Sequence, residues 1–365
     1  MRVAVTLEQC WHAVPGGTAV AALELVAALD ARDDVEVVGV AARHRDPPPP
    51  QWRPSIPVRH LWAPRNVLYE LWHARIPGAA RVERATGPVD LVHATAVAFP
   101  RADAPVVVTI HDLAFFDDPS RVTKHGLRFF TRGTELARTH ARMVLCSSRA
   151  TMEHCVSVGF DESRVRIVPL GVRTTPKSLE DVARARTKFD LRRPYVMFSG
   201  TVEPRKNLPR LLRAFAKVSR HDVDLVLAGP TGWNESLLDD LRPLEGRAHT
   251  LGFVERDDLL ALYAGAEVFC YPSLKEGFGL PVLEAMSQAT PVVTSAATST
   301  AEVAGGAGVL VDPLDEEAIA DALDRVLGDA TLAEQMSVAG RQRAATFTWE
   351  RTAELTVAAY REALT

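Results

Sequence analysis

The stretch EGFGLPVLE, residues 276–284, decides how this chain is read: Glu276 and Glu284 bracket a Gly-Phe-Gly turn and a helix start. Residues 267–271 (EVFCY) just before it are short, apolar and aromatic, as a buried strand is, and Pro281 suits the first turn of a helix. Glu276 is therefore expected on a strand-to-helix loop and Glu284 about one turn inside the helix. Gly277 and Gly279 let a ligand approach the backbone closely, and the free N–H groups of a helix start favour a phosphate there. A carboxylate accepts hydrogen bonds from paired hydroxyls. One carboxylate on each side of a phosphate site suits a ligand with a sugar at each end. Two isolated glutamates would ordinarily be solvated loop and helix charges, and the glycines and proline between these two weigh against that reading.

Outward from this motif, strand-like runs alternate with helical ones, the pattern of βαβ units and a parallel sheet, so the fold class is α/β. In the first half the strand-like runs are 2–7, 35–40, 91–94, 106–110, 143–147 and 165–169, and in the second 195–199, 223–228, 249–253, 268–271, 291–294 and 308–311. A length of 365 residues fits two such domains. Residues 171–194 are charged and show no strand, so the boundary between lobes is expected there. A helix over 18–30 follows Gly16 and Gly17, with Thr18 as its expected cap. A last amphipathic helix covers 348–364, with Trp349, Leu355, Val357 and Tyr360 turned inward.

The second half opens with SGTVEPRKNL, residues 199–208. A strand ends at Ser199 and Gly200, and Arg205 and Lys206 stand on the loop before a helix beginning near 207–209. Two adjacent cations at the carboxyl edge of a parallel sheet are well placed to neutralise a diphosphate. An isolated Arg-Lys pair is more often a solvated surface charge, and the balance turns because this pair shares its half of the chain with the 276–284 motif. His111 and Asp112 close the run VVVTIHD at a strand end, where a histidine is more often a satisfied structural group.

A net charge of -4 argues against a general nucleic-acid binder. Cys10, Cys146, Cys155 and Cys270 are scattered without CxxC spacing, which points to reduced thiols and no metal set. The beginning, MRVAVTLEQC, turns polar too early for a signal peptide, and no apolar run approaches the roughly 20 residues of a spanning helix. Residues 59–84 interleave Arg59, Arg65, Arg75, Arg81 and Arg84 with Trp62, Tyr69 and Trp72, and Arg121, Lys124, Arg128 and Arg132 have one-face helical spacing. Such segments can lie at an anionic lipid surface. Packing of the aromatics inside the lobe is the preferred reading, because Glu70 and Glu83 interrupt the basic run.

These motifs together resemble the retaining glycosyltransferases of the GT-B fold, family four, also called group 1, which include mannosyl- and glucosyltransferases using sugar nucleotides. GTVEPRKNL, LAGPTGW, LGFVERDDLLALYAGAEVFCYPSLKEGFGLPVLEAMSQATPVVTS and FTWERTA carry the likeness in the second half. PGGTAVAALELVAAL, DLVHATAVAFP, TIHDLAFF and LCSSRAT carry it, less sharply, in the first. The resemblance implies two Rossmann-like lobes facing a central cleft. Residues 1–172 would form an acceptor-binding lobe, 173–194 an interlobe linker, 195–346 a sugar-nucleotide-binding lobe, and 347–365 a helix returning towards the N-terminal lobe.

The resemblance also implies roles. Arg205 and Lys206 are expected to hold the diphosphate, Glu284 the ribose hydroxyls, and Glu276 hydroxyls of the transferred sugar. Gly200, Thr201, Gly277, Phe278, Gly279 and Leu280 are expected around the sugar and phosphates, and Gly252, Phe253 and Val254 around the base. Gly16 and Gly17 would face donor phosphate and acceptor, and His111 the reaction centre. Many members carry an arginine where this chain has Thr201, so Arg205 is expected to take more of the phosphate charge.

The implied reaction is transfer of a hexose of mannose or glucose type from a nucleoside-diphosphate sugar, GDP-mannose favoured, to a hydroxyl of a glycan, lipid-linked or small-molecule acceptor. A retaining hydrolase would need two carboxylates about 5 Å apart around the anomeric carbon. With one glutamate assigned to ribose, front-face transfer with retention is expected instead, with no metal and no cofactor beyond the sugar nucleotide. The expected location is cytoplasmic, at most peripheral at the inner face of the membrane. A sugar-nucleotide epimerase on the same architecture would need an acid/base set not found in the sequence. A non-catalytic sugar-nucleotide-binding protein is disfavoured by intact Arg205, Lys206, Glu276 and Glu284.

Overall fold

Short runs rich in Val, Ile and Leu, each followed by a helix, can bury both faces only as strands of parallel sheets. The computed structural model describes residues 1–12, 15–76, 78–119, 122–230, 232 and 237–365. Contacts divide the chain into two units, Met1–Gly171 with Thr348–Thr365, and Val172–Phe347.

The first unit holds seven parallel strands, β1 (Arg2–Thr6), β2 (Glu36–Ala41), β3 (Val58–His60), β4 (Leu91–Ala94), β5 (Val106–Ile110), β6 (Met143–Cys146) and β7 (Val165–Ile167), in the order β3-β2-β1-β4-β5-β6-β7. Successive side chains point to opposite faces. Val92 and Val108 therefore join one core with Trp72 and Leu136, while Leu91 and Val107 join the other with Val26 and Leu29. Val357 and Tyr360, from the last helix Trp349–Leu364, complete that second core.

The second unit repeats the plan with six parallel strands: β8 (Tyr195–Ser199), β9 (Asp224–Ala228), β10 (Ala248–Gly252), β11 (Val268–Tyr271), β12 (Val292–Ser295) and β13 (Val309–Val311), in the order β10-β9-β8-β11-β12-β13. In each sheet the order reverses beside the first strand, between β1 and β4 and between β8 and β11. In doubly wound sheets ligands bind outside the carboxyl ends of the strands at such a reversal.

The structure corrects several expectations. The first helix is Gly16–Asp30 and has no side-chain cap; the Thr18 hydroxyl instead donates to the Pro15 carbonyl at 3.3 Å. Gly16, with φ +64°, turns the chain into that helix, so no capping side chain is required. Residues 173–194, expected as a linker, hold the helix Leu179–Lys188 within the second unit. Ser178 and Asp181 cap it reciprocally. Lys177 and Lys188 pair with Asp257 and Asp258 of the helix Arg256–Ala264. The charges that suggested a linker are the ones that fasten this helix.

Of the aromatics in 59–84, Trp72 is buried and its Nε1 donates to the Ala80 carbonyl at 2.8 Å. Tyr69 packs 5.2 Å from the Phe129 ring, and Trp62 stays 58% exposed. Arg121 of the second basic run, and Thr231 and Trp233 of LAGPTGW, lie outside the described residues. No described helix is long and apolar enough to cross a membrane.

The loops leaving β8, β9 and β10 meet backbone to backbone. Gly200 N–H donates to the Ala228 carbonyl at 2.9 Å and Gly229 N–H to the Gly252 carbonyl at 2.8 Å. A Cβ on Gly229, whose φ is +153°, would lie 1.9 Å from the Gly200 oxygen. Gly229→Ala should therefore lower stability by about 1–3 kcal/mol through forced backbone shifts. A thermal unfolding midpoint equal to wild type would show that these loops have room to spare.

Candidate functional site

Because β8 and β11 are neighbours, pairing Val196 with Val268, the loops that leave their carboxyl ends are adjacent too. The first loop folds into the tight turn Pro204–Lys206 and then Asn207, whose left-handed φ of 61° starts the helix Leu208–Ala216. Asn207 tolerates this conformation and its side-chain amide uses it: Nδ2 donates to the carbonyls of Pro272 (2.9 Å) and Pro313 (2.7 Å). Leu274 N–H donates to the Arg205 carbonyl at 2.8 Å, so the two loops are stitched together.

At the seam lies the Glu276 carboxylate. Its Oε2 accepts from Arg205 Nη1 at 2.8 Å, and its Oε1 from Lys206 Nζ at 2.7 Å, Ser273 Oγ at 2.7 Å and Tyr271 OH at 3.0 Å. Arg205 Nη2 also pairs with Glu203 at 2.8 Å. Lys206, only 6% exposed, donates to the Tyr271 hydroxyl as well and sits 4.9 Å from that ring's centroid. Two cations and two carboxylates thus balance, with Glu203, Lys206 and Glu276 buried and Arg205 partly exposed.

Burial alone would raise the Glu276 pKa, but Arg205, then Lys206, and the hydrogen bonds from Lys206 and Ser273 outweigh it and hold the carboxyl at about 2. Burial and then Arg205 lower the Lys206 pKa, against the pull of Glu276 and Glu203.

Gly279, with φ +107°, leads into the helix Leu280–Ser287, and a Cβ there would meet Thr300 at 2.8 Å. The Phe278 ring is buried and packs 5.9 Å from Phe347, so its backbone is what remains available to a ligand. Ser299 Oγ donates to the Glu276 carbonyl at 2.8 Å and fixes the loop from the far side. Glu284, buried in the first turns of the helix, accepts from Arg256 Nη1 at 2.8 Å. Gly252 ends β10 with φ +66°; Phe253 beyond it is 54% exposed and Val254 is buried. Thr201 follows Gly200, against which the Lys206 side chain lies.

In the first unit the reversal between β1 and β4 is closed by hydroxyls. Thr95 N–H donates to Thr6 Oγ1 at 3.0 Å, Thr95 Oγ1 donates to the Thr6 carbonyl, and Gln9 Nε2 donates to Thr95 Oγ1 at 2.7 Å. His111 Nε2 lies 3.1 Å from the Thr95 carbonyl. A carbonyl only accepts, so Nε2 carries the proton and Nδ1 keeps its lone pair. Burial lowers the His111 pKa despite the Thr95 hydrogen bond and Asp112, which leaves the ring neutral. Behind it, His93 is fully buried between Tyr360 OH and Thr109 Oγ1, each at 2.7 Å. A Cβ added at Gly16 or Gly17 would meet no heavy atom within 4 Å.

The second unit thus brings Gly200, Thr201, Arg205, Lys206, Glu276, Gly277, Phe278, Gly279 and Leu280 together, while Gly16, Gly17 and His111 belong to the first. Glu203, Asn207, Arg256, Tyr271 and Ser273 escaped the sequence reading. Asn207 could have been found, since Asn directly after a Pro-initiated turn is a common left-handed position. Among the described residues no group of His, Cys, Asp and Glu is arranged to hold a metal ion.

Residues 180–343 match the family described as glycosyl transferases group 1, and residues 15–176 match Glycosyltransferase Family 4. The chain is 34% identical over 266 residues to O-antigen chain mannosyltransferase B of Escherichia coli, covering 70% of each. It is 31% identical to D-inositol 3-phosphate glycosyltransferase of Salinispora tropica over 96% of this chain and 81% of that one. Among solved structures, Anabaena HepE in complex with UDP and glucose shares the fold with a TM-score of 0.78, at 20% identity over 98% of both chains.

The low Glu276 pKa has a pH consequence. A depressed carboxyl contributes stability that is present above its unfolded value, about 4.3, and is lost as pH falls towards 2. Wild type should exceed Glu276→Gln in stability at pH 6, and the gap should close between about pH 4.5 and 2. Denaturant midpoints at pH 6 and pH 2.5 measure this, and a gap of constant size would mean Glu276 is not held ionised by its neighbours.

Proposed function

The chain belongs to the group 1 glycosyltransferases, retaining enzymes that move a hexose from a nucleoside-diphosphate sugar to a hydroxyl, and we propose that here the hexose is mannose and the donor GDP-mannose. The observation that carries the reading is the buried set of Arg205, Lys206, Glu203 and Glu276 at the β8/β11 reversal. Similarity to the E. coli mannosyltransferase favours mannose over other hexoses.

In the proposed reaction the bond between the anomeric carbon and the diphosphate oxygen breaks, and negative charge grows on the diphosphate. Arg205 and Lys206 stabilise that charge, the work a divalent ion does in other enzymes. The acceptor hydroxyl forms the new bond on the face the diphosphate leaves, and its proton passes to the departing phosphate oxygen. Configuration at the anomeric carbon is retained. Once the diphosphate takes over the two cations, the Glu276 oxygens that held them turn to hydroxyls of the mannose.

Glu284, steadied by Arg256, takes the ribose hydroxyls, and the segment Gly252, Phe253 and Val254 lies against the base. Gly200, Thr201, Gly277, Phe278, Gly279 and Leu280 surround the sugar and phosphates through their backbone. Gly16, Gly17 and His111 serve the acceptor side, the Nδ1 lone pair of neutral His111 being able to receive a hydroxyl. The acceptor is a glycan, a lipid-linked saccharide or a small molecule bearing a hydroxyl.

A panel of GDP-mannose, GDP-glucose and UDP-glucose against saccharide acceptors, read by proton NMR of the anomeric signal, tests donor and stereochemistry together. Transfer from UDP-glucose but not GDP-mannose would overturn the donor, and an inverted product would overturn the mechanism. Lys206→Met keeps the apolar stem and loses the charge, so turnover should fall at least about tenfold in protein verified as folded. Calorimetry with the bare nucleoside diphosphate separates the glutamates. Glu284→Gln should weaken that binding, whereas Glu276→Gln, which removes a competitor for the cations, should keep or strengthen it while transfer falls. Equal losses of affinity in both variants would refute these roles.

A further inference from the structure

Lys206 carries its charge on a long flexible stem, and an ammonium so placed needs a rigid partner to aim it. Of its N–H groups one donates to Glu276 Oε1 at 2.7 Å and another to the Tyr271 hydroxyl. An ammonium only donates, so the Tyr271 oxygen accepts from Lys206 and gives its own proton to Glu276 Oε1 at 3.0 Å. The hydroxyl thus stands between the cation and the carboxylate. Burial and then Glu276 raise the Tyr271 pKa well above its ordinary value, so the proton stays on that oxygen.

Tyr271 is the rigid member of the pair. It ends β11 fully buried, with its ring stacked 5.5 Å from Phe198 of β8 and 5.6 Å from Phe269. Its carbonyl accepts from Thr294 Oγ1 at 2.9 Å, which ties the strand end to β12. Ser273 differs in one respect: its hydroxyl reaches the same Glu276 oxygen at 2.7 Å but makes no bond to Lys206 among the described residues.

We propose that Tyr271 is a positioning residue for transfer, its hydroxyl holding Lys206 Nζ aimed and protonated while Glu276 turns from the cation to the sugar. It rests on the reading of Lys206 as a diphosphate ligand and deepens that reading. Glu276 and Tyr271 share the ammonium between them. When a diphosphate takes the place of Glu276 at the cation, the tyrosine oxygen is the acceptor that stays, because its packed ring cannot follow. The N–H groups that Tyr271 does not hold are the ones open to phosphate oxygens.

The charged groups facing Lys206 are Arg205 and Glu203 of its own turn and Glu276 of the neighbouring loop, and Tyr271 is the titratable group of β11 in contact with it. Burial and then Arg205 lower the Lys206 pKa, whereas an acceptor on the ammonium favours its charged form. Loss of the Tyr271 oxygen therefore lowers that pKa further. Activity that needs the ammonium should then fail at a lower pH on the alkaline side.

Release of nucleoside diphosphate from GDP-mannose and from UDP-glucose, followed between about pH 6 and 10, tests this on wild type, Tyr271→Phe, Lys206→Met, the two combined, and Ser273→Ala. Tyr271→Phe keeps the ring and loses only the oxygen, so folding should survive, as circular dichroism verifies. Its kcat/KM near neutral pH should fall about tenfold. The alkaline limb of its kcat/KM profile should move down by about one pH unit, donor ionisation being common to both proteins. In the Lys206→Met background the same change should cost less than about a further twofold, since its effect runs through the lysine. Ser273→Ala should leave the limb in place. A wild-type rate and limb in Tyr271→Phe, a fully additive loss in the combined variant, or an equal shift of the limb in Ser273→Ala would each overturn the proposal and leave the donor reading standing. A wild-type rate for Lys206→Met would overturn the donor reading, and the proposal with it.

Discussion

The carboxylate of Glu276 is the constraint on which the site depends. Two cations in adjacent positions, one of them almost fully buried, would repel each other and pay heavily for lost water. Removing one partner from such a buried set typically costs 3–5 kcal/mol, because the charge left behind has no compensation. Glu276 answers both Arg205 and Lys206, and Glu203 adds a second carboxylate on Arg205. The hydroxyls of Tyr271 and Ser273 fill what remains of the acceptor capacity on one of its oxygens. The two loops are therefore held in shape by the same charges that the proposed diphosphate would meet.

Much of this architecture was legible in the chain. Alternating apolar runs and helices revealed two parallel sheets, because strands buried on both faces must be apolar throughout. The 276–284 and 199–208 motifs announced themselves through glycine, proline and charge, which act locally. Harder to read were groups whose meaning is only spatial. Tyr271 and Ser273 look like ordinary strand-end residues until β11 lies beside β8 and both hydroxyls reach Glu276, with Tyr271 also meeting Lys206. Arg256 stands on another helix, and nothing in its neighbourhood names Glu284 as its partner. The helix Leu179–Lys188 went unseen for the opposite reason: its ion pairs with Asp257 and Asp258 give it the composition of a solvated linker.

The first unit shows how a polar network can be carried into a sheet's interior. His93, Thr95, Thr109 and His111 share one face of β4 and β5 and its strand ends, the face that Tyr360 of the last helix covers. Each finds a partner there, so a buried face built from histidine and threonine remains stable where an unpaired group would not. Helix Trp349–Leu364 is thus as much a part of that sheet's chemistry as the strands are.

That helix follows the second unit in sequence, and the second unit is continuous from Val172 to Phe347. A ribosome consequently releases every strand of the second sheet before it releases the residues that cover one face of the first. Of the two units, the one begun first is completed second, with Leu91, Val107 and Leu145 waiting for Val357 and Tyr360. During that interval the early-made sheet presents an apolar face to its surroundings, and a nascent chain of this design has reason to depend on whatever shields such surfaces in the cell.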